Sequence, residues 1–271
     1  MDKSNNNEKL TKVGINWYPG HMAKAKREII ESLKLIDIVL ELVDARIPLS
    51  SRNPDIDSIV GTKPRIILLN KSDLADENKN KSWIKYFREK GIIAICTDSN
   101  SGKGLNEITS KIFEVMKDKL EKNASKGRIG TNIRIAVLGI PNVGKSSLIN
   151  KLSRKNSLEV GNRPGVTKRK QWIRLKNNME LLDTPGVLWP KFESEEVALN
   201  LAFTGTIKDE IIDTTEIGMY LLAKLKEIYP NEVIKRYKLT ESDLGLSNED
   251  LLELVAKKRG CILSRWRYRF M

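Results

Sequence analysis

Only two cysteines, Cys96 and Cys261, and a single histidine, His21, occur in the whole chain. That scarcity excludes a disulfide framework and a zinc site built from Cys and His, and it suits a reducing, cytoplasmic setting. Long apolar runs are missing too. None approaches the roughly 18 residues that a membrane-crossing helix needs, so no membrane role is expected. The opening Met1-Asp2-Lys3-Ser4-Asn5-Asn6-Asn7 carries no apolar signal region, and secretion is not expected. Acidic residues are absent from two stretches: one holds Arg163, Lys168, Arg169, Lys170 and Arg174, the other runs from Lys257 to the end.

What remains is a chain of 271 residues with a formal net charge of +13. Its length allows one large domain, or a medium and a small one. A positive excess of this size raises affinity for polyanions through counterion release, though solvated lysine-rich faces alone would also produce it. Clustering favours a polyanion. Lys257, Lys258, Arg259, Arg265, Arg267 and Arg269 crowd the C-terminal segment, interleaved with Trp266, Tyr268 and Phe270. Aromatic and cationic side chains together suit RNA, whose unstacked bases can lie on the rings. The same aromatics would equally serve as core contacts of a terminal helix.

Hydrophobic periodicity divides the chain. After a polar leader and the turn Asn16-Trp17-Tyr18-Pro19-Gly20-His21-Met22, a helical pattern begins at Ala23. Strands are expected at 38–43, 65–69, 92–95 and 133–138, with paired strands at 172–175 and 179–182 around Asn177-Asn178. Helices are expected at 79–90 and 105–120, and from Ser146. Residues 121–131 show no apolar period and read as a linker. Strands alternating with helices predict an α/β fold with a mostly parallel sheet. Beyond Pro190 the pattern is helical throughout, at 197–203, 217–228, 233–237 and 251–255. The expected organisation is therefore an α/β domain over 1–190 and a small all-helical domain over 191–271.

The sharpest motif is Gly139-Ile140-Pro141-Asn142-Val143-Gly144-Lys145-Ser146, which follows a strand and opens a helix, as a phosphate-binding loop requires. Its backbone across Pro141, Asn142, Val143, Gly144, Lys145, Ser146 and Ser147 is expected to cradle phosphates, through the N–H groups of all but the proline and aided by the helix N-terminus. Lys145 would bring charge to the β- and γ-phosphates, and Ser146 would ligate Mg²⁺. Asp183-Thr184-Pro185-Gly186 reads as the sensor: Asp183 for Mg²⁺, the Gly186 amide for the γ-phosphate. Thr167, between these two motifs, is the candidate that completes the Mg²⁺ shell. Asn70-Lys71-Ser72-Asp73 reads as a guanine-selecting segment. The Asp73 carboxylate can accept from N1–H and the exocyclic amine of guanine; adenine offers neither donor. Lys71 would lay its stem along the base, and Asn70 would tie this loop to the phosphate loop. Ser99, in Thr97-Asp98-Ser99-Asn100, is the candidate donor to guanine O6. The predicted ligands are GTP and GDP.

Many GTPases place a glutamine immediately after the sensor glycine, to orient the attacking water. Val187 and Leu188 stand there instead. The catalytic group must then come from elsewhere, which makes His21 a candidate beside Lys145, and intrinsic hydrolysis should be slow. Asn142 either suits a turn or helps coordinate K⁺.

The order of the motifs is unusual: the base segment precedes the phosphate loop and the sensor, as in a circular permutation. With Trp17–Met22, Asp44-Ala45-Arg46-Ile47-Pro48 and Pro164-Gly165-Val166-Thr167 in the same order, the chain resembles the circularly permuted GTPases of the ribosome biogenesis GTPase A (YlqF/RbgA) family. The resemblance implies a circularly permuted P-loop G domain with a helical tail. It further implies a factor that binds a late large-ribosomal-subunit precursor and hydrolyses GTP as an assembly checkpoint. A hydrophobic residue at the glutamine position, matched by Val187, a catalytic role for His21 and rRNA contacts from the tail are implied as well. Asp98-Ser99 departs from the Ser-Ala found in many G proteins. The competing class is an RNA-binding assembly scaffold in which GTP is mainly structural. A monomer is expected.

Overall fold

The computed structural model describes residues 20–128, 130–153, 171–184, 192, 194–207 and 212–261, with the backbone alone at 20–26 and 171. The chain falls into two compact units, Met1–Lys208 and Asp209–Met271.

In the first unit, β1 (Ile38–Asp44), β2 (Arg65–Asn70), β3 (Ile93–Cys96), β4 (Ile133–Gly139), β5 (Gln171–Arg174) and β6 (Met179–Asp183) form one sheet in the order β3-β2-β1-β4-β6-β5. All neighbours run parallel except β5, which pairs antiparallel with β6. Every residue of β1 is buried. That burial explains why Ile38-Val39-Leu40 reads as a continuous apolar run, since a central parallel strand is covered on both faces. Helices α1 (Gly20–Leu33), α2 (Ile56–Val60), α3 (Glu77–Glu89), α4 (Leu105–Ser125), α5 (Lys145–Ser153) and α6 (Glu195–Phe203) complete this unit.

Counting strands from β4 onward, and wrapping from β6 back to β1, turns the spatial order into 6-5-4-1-3-2. The sheet is thus one continuous doubly wound arrangement whose chain has been cut between α4 and β4. β4 sits between β1 and β6, and successive connections diverge from it in opposite directions. Ligands bind beyond the strand C-termini at such a switch point.

Three local details refine the sequence reading. Residues 121–125, read as linker, continue α4 to Ser125; this helix end is mostly exposed and buries no apolar face, so the pattern could not reveal it. The short helix α2 was not anticipated, because five residues are too few to display a period. The β5–β6 turn matches expectation closely. Asn177 and Asn178 take φ of 59° and 52°, the left-handed pair that a tight hairpin favours and asparagine tolerates.

The second unit packs α7 (Thr214–Ile228), α8 (Pro230–Tyr237) and α9 (Asn248–Lys258) around Leu222, Val233, Leu239, Leu251 and Val255. Asp213 and Ser247 cap α7 and α9 through side-chain oxygens. Helix α6, which the sequence reading joined to this helical part, lies within Met1–Lys208.

Candidate functional site

Asn70, Gly139 and Asp183 end three strands on one edge of the sheet. Asp44, at the end of β1, lies level with Asn70 in the β1–β2 register.

Asn70 is the hub. It is 1% exposed, and its Nδ2 donates to the Val143 carbonyl in the phosphate loop at 2.8 Å. Its Oδ1 accepts from the Ser99 amide at 3.1 Å, the Ser99 hydroxyl at 2.8 Å and the Thr97 hydroxyl at 3.3 Å. One side chain therefore ties three loops together, the phosphate loop among them as the sequence suggested. Gly144 makes this approach possible. It has φ +104°, and a Cβ there would lie 2.3 Å from Asn70 Nδ2. A Cβ on Gly139 would sit 2.7 Å from the Leu42 carbonyl oxygen. Both glycines are demanded by close neighbours, and Gly144 by its backbone conformation as well.

Ser99 lies in the expected loop, but its amide donates to Asn70. The Ser99 hydroxyl donates to the same oxygen, so the residue is held against Asn70 by two bonds. Asp98 holds the next two amides, accepting from Asn100 at 2.8 Å and Ser101 at 3.1 Å.

Lys71 has φ 58° and sends Nζ to the Asn142 carbonyl at 2.8 Å and to Asp44 Oδ2 at 3.1 Å. Asp44 also receives Arg46 through Nε at 2.8 Å and Nη2 at 2.6 Å. Burial opposes the Asp44 charge. The Arg46 hydrogen bond and the positive Lys71 outweigh it and hold the carboxyl below its usual range. The sequence reading had noted Asp44 only as a strand end and part of a family motif. The available clue was its place at the end of a buried strand, as for Asn70. Ser72 donates its amide to the Thr97 carbonyl at 3.1 Å. Asp73, two residues beyond Lys71, is exposed.

In the phosphate loop, Pro141 and Val143 are buried, while Gly144, Ser146 and Ser147 are half-buried at the start of α5. Asn142 has φ 57°, a turn conformation that asparagine tolerates. Its Nδ2 donates to the Gly205 carbonyl at 2.6 Å, beyond α6. Lys145 is 6% exposed. Its Nζ donates to the carbonyls of Gly139 at 3.0 Å and Ile140 at 2.8 Å. Burial depresses its pKa to about 8, against the restoring charge of Asp183. Asp183 is fully buried, and the neighbouring Thr184 hydroxyl donates to the Val137 carbonyl at 2.6 Å.

Among the described residues no cluster of three or more His, Cys, Asp or Glu side chains could hold a metal alone. The Ser146 hydroxyl and Asp183 carboxylate are hard oxygen donors of the kind Mg²⁺ takes when phosphates supply further ligands. They fit that ion.

Thr167, Gly186, Val187, Leu188, Arg265, Arg267 and Arg269 lie outside the described residues. The backbone at His21 belongs to α1, but its side chain is also outside them. Of the described tail cations, Lys257 pairs with Glu253 at 2.7 Å and Lys258 donates to the Lys238 carbonyl at 2.6 Å. Arg259 is exposed just past α9.

A family model described as 50S ribosome-binding GTPase matches residues 134–248. The match begins in β4 and leaves the base segment upstream, as a rewired chain requires. Ribosome biogenesis GTPase A of Bacillus cereus is 50% identical over 252 residues, covering 92% of this chain and 83% of that protein. Its Thermotoga maritima counterpart is 37% identical over 248 residues, covering 92% and 82%. Among solved structures, GNP-bound YlqF from T. maritima is similar with a TM-score of 0.53 and 29% identity, over 88% of this chain and 94% of that one.

Proposed function

This chain belongs to the ribosome biogenesis GTPase A family and is a GTPase, and we propose that it acts on a precursor of the large ribosomal subunit. There it hydrolyses GTP as an assembly checkpoint, in the cytoplasm and as a monomer. The observation that carries the nucleotide reading is Asn70, whose side chain binds the phosphate loop and the Ser99 loop at once. Base selection and phosphate binding are thereby set on one rigid frame.

Within that frame each residue has a chemical task. Asp73 selects guanine through its carboxylate, and the Lys71 stem flanks the base. Two charge-assisted hydrogen bonds at roughly 1.5–3 kcal/mol each would make adenine at least a hundredfold weaker. The amides of Pro141–Ser147, apart from proline, face the phosphates. Lys145 leaves the carbonyls of Gly139 and Ile140 for the phosphate oxygens. Bound Mg²⁺ would neutralise phosphate charge, with Ser146, Asp183 and Thr167 as its protein ligands, and the Gly186 amide reports the γ-phosphate. His21 positions the attacking water in place of a sensor glutamine. Asn142 gives its Oδ1 to K⁺; its Nδ2 is engaged with Gly205. Lys257, Lys258, Arg259, Arg265, Arg267 and Arg269 contact rRNA; the pairing of Lys257 and Lys258 leaves Arg259 and the three arginines beyond it the larger share.

GTP turnover measured with and without purified large subunits, in K⁺ and in Na⁺, tests this. Subunits should accelerate hydrolysis at least tenfold, more strongly in K⁺. Equal rates with and without subunits would overturn the ribosomal reading, and equal rates in both salts the assignment of Asn142.

A further inference from the structure

On the outer edge of the sheet, β5 presents an exposed indole among arginines. Trp172 and Arg174 alternate with the buried Ile173, so they share the outward face. Across the sheet, Arg174 pairs with Glu180 and Glu180 with Arg134, which forms a row of charge at the ends of β5, β6 and β4. Arg134 reaches over β6, its guanidinium 5.6 Å from the Trp172 ring centroid. Trp172 is 43% exposed, and the Arg174 side chain 91%.

Covering the sheet does not require this arrangement. Leu182, the register partner of Trp172, is only 1% exposed, so part of the indole shields it. The remaining ring surface meets water. The local charge is positive as well. Glu180 accepts from Asn132 at 3.0 Å and is shared by Arg134 at 3.4 Å and Arg174 at 4.0 Å, one carboxylate against two guanidiniums, while Asp37 accepts from the Arg134 amide at 2.9 Å and from Lys119. Arg174 and Lys176 remain exposed on the solvent side.

We infer that Trp172, Arg134, Arg174 and Lys176 form a second RNA-binding surface, on the GTPase unit, that takes an unstacked base of single-stranded RNA. The base lies on the indole, and the cations hold the flanking phosphates. An aromatic platform edged by cations is what single-strand recognition uses, because every base has a face to stack and every linkage a charge. A groove for a peptide strand would need an apolar row beside the β5 edge, whereas the row here is charged. The inference rests on the ribosomal reading above and names a surface for it distinct from the tail.

The test uses the full chain and fluorescein-labelled 12-nucleotide oligo(A), single-stranded or paired with its complement. Trp172→Ala should weaken single-strand binding about tenfold and leave duplex binding unchanged, whereas Trp172→Phe should retain most of it. Arg174→Gln, at a side chain too exposed to affect folding, should lower the salt slope of binding by about 0.7. GDP affinity should be unaltered in all three. Wild-type affinity in Trp172→Ala, equal losses on duplex and single strand, or an unchanged slope in Arg174→Gln would overturn the site. Subunit-stimulated turnover separates the two readings. Stimulation that persists while Trp172→Ala binds RNA normally refutes this surface alone; loss of RNA binding without any wild-type stimulation refutes the ribosomal role alone.

Discussion

The contact between Gly144 and Asn70 predicts a specific failure of additivity. Asn70→Ala removes a donor to the Val143 carbonyl and an acceptor for Ser99 and Thr97, all within a buried hub. Net hydrogen bonds contribute about 0.5–1.5 kcal/mol each, and stranded buried partners cost about 1–3. With some relaxation the loss should be about 3 kcal/mol. Gly144→Ala forces a side chain into φ +104° and sets its Cβ 2.3 Å from Asn70 Nδ2. The backbone term alone costs about 1–3 kcal/mol, and expelling Asn70 should bring the total to about 4. In the double variant the clashing atom is gone and the hub is already broken. Its destabilisation should then fall short of the sum by about 2 kcal/mol. Urea denaturation of nucleotide-free protein measures this cycle, because bound nucleotide would add its own stabilisation. Titration with a fluorescent GDP should show each single variant weakened at least tenfold and the double variant hardly worse. Additivity within about 0.5 kcal/mol, or single variants that bind GDP like wild type, would refute the idea that one contact couples the base and phosphate loops.

Lys145 predicts a pH signature. Its folded pKa of about 8 lies below the ordinary value of 10.5, so the unfolded chain binds more protons between them. Stability of the nucleotide-free protein should rise from about pH 8 to 10.5 relative to Lys145→Met, by about 3 kcal/mol. GDP affinity should decline over the same window as the lysine loses its charge; matching pH profiles for the two proteins would refute the assignment. Asp44→Asn should destabilise by about 2 kcal/mol by leaving Arg46 and Lys71 without their carboxylate. Because the Asp44 carboxyl sits below its usual 3.8, its contribution is present above that value and lost as pH falls through the folded pKa, so wild type and variant should converge in strong acid. Asn142→Gly keeps the positive φ and deletes the amide. It should abolish the preference for K⁺ over Na⁺ in turnover assays, and a retained preference would dismiss Asn142 as a ligand. His21→Ala should reduce subunit-stimulated turnover about a hundredfold with GTP affinity intact; unchanged turnover would remove His21 from the chemistry.

The sheet was legible because parallel strands buried on both faces are mostly apolar, as at 38–43, where only Glu41 breaks the run, and at 65–69 after Arg65. The nucleotide loops were legible because their chemistry needs particular residue types at particular spacings. The tie from Asn70 to the phosphate loop followed from the two motifs together. Ser99 and Asn142 were harder. Their residue types are right for a base or a cation, but each side chain had a competing partner brought near only by folding, Asn70 in one case and the Gly205 carbonyl in the other. No sequence period connects position 142 to 205. The reach of Lys71 to Asp44 was hidden for the same reason, since the β1–β2 register brings the two together, whereas Arg46 is Asp44's neighbour two residues along the chain.

Those competing partners give the rewired order a physical consequence. With the cut between α4 and β4, the chain leaves β6 at Asp183 and goes on to α6 instead of returning to the sheet. Helix α6 is then fixed to the rest of its unit by side chains from distant parts of the sequence. Asn200 Nδ2 donates to the Ser50 hydroxyl at 3.1 Å, in the loop that follows β1. Asn142 reaches from the phosphate loop to Gly205, and Thr206 and Ile207 are buried beyond it. The first unit ends at Lys208. The stretch that follows α6, near the end of this unit, is therefore hydrogen-bonded to the phosphate loop itself.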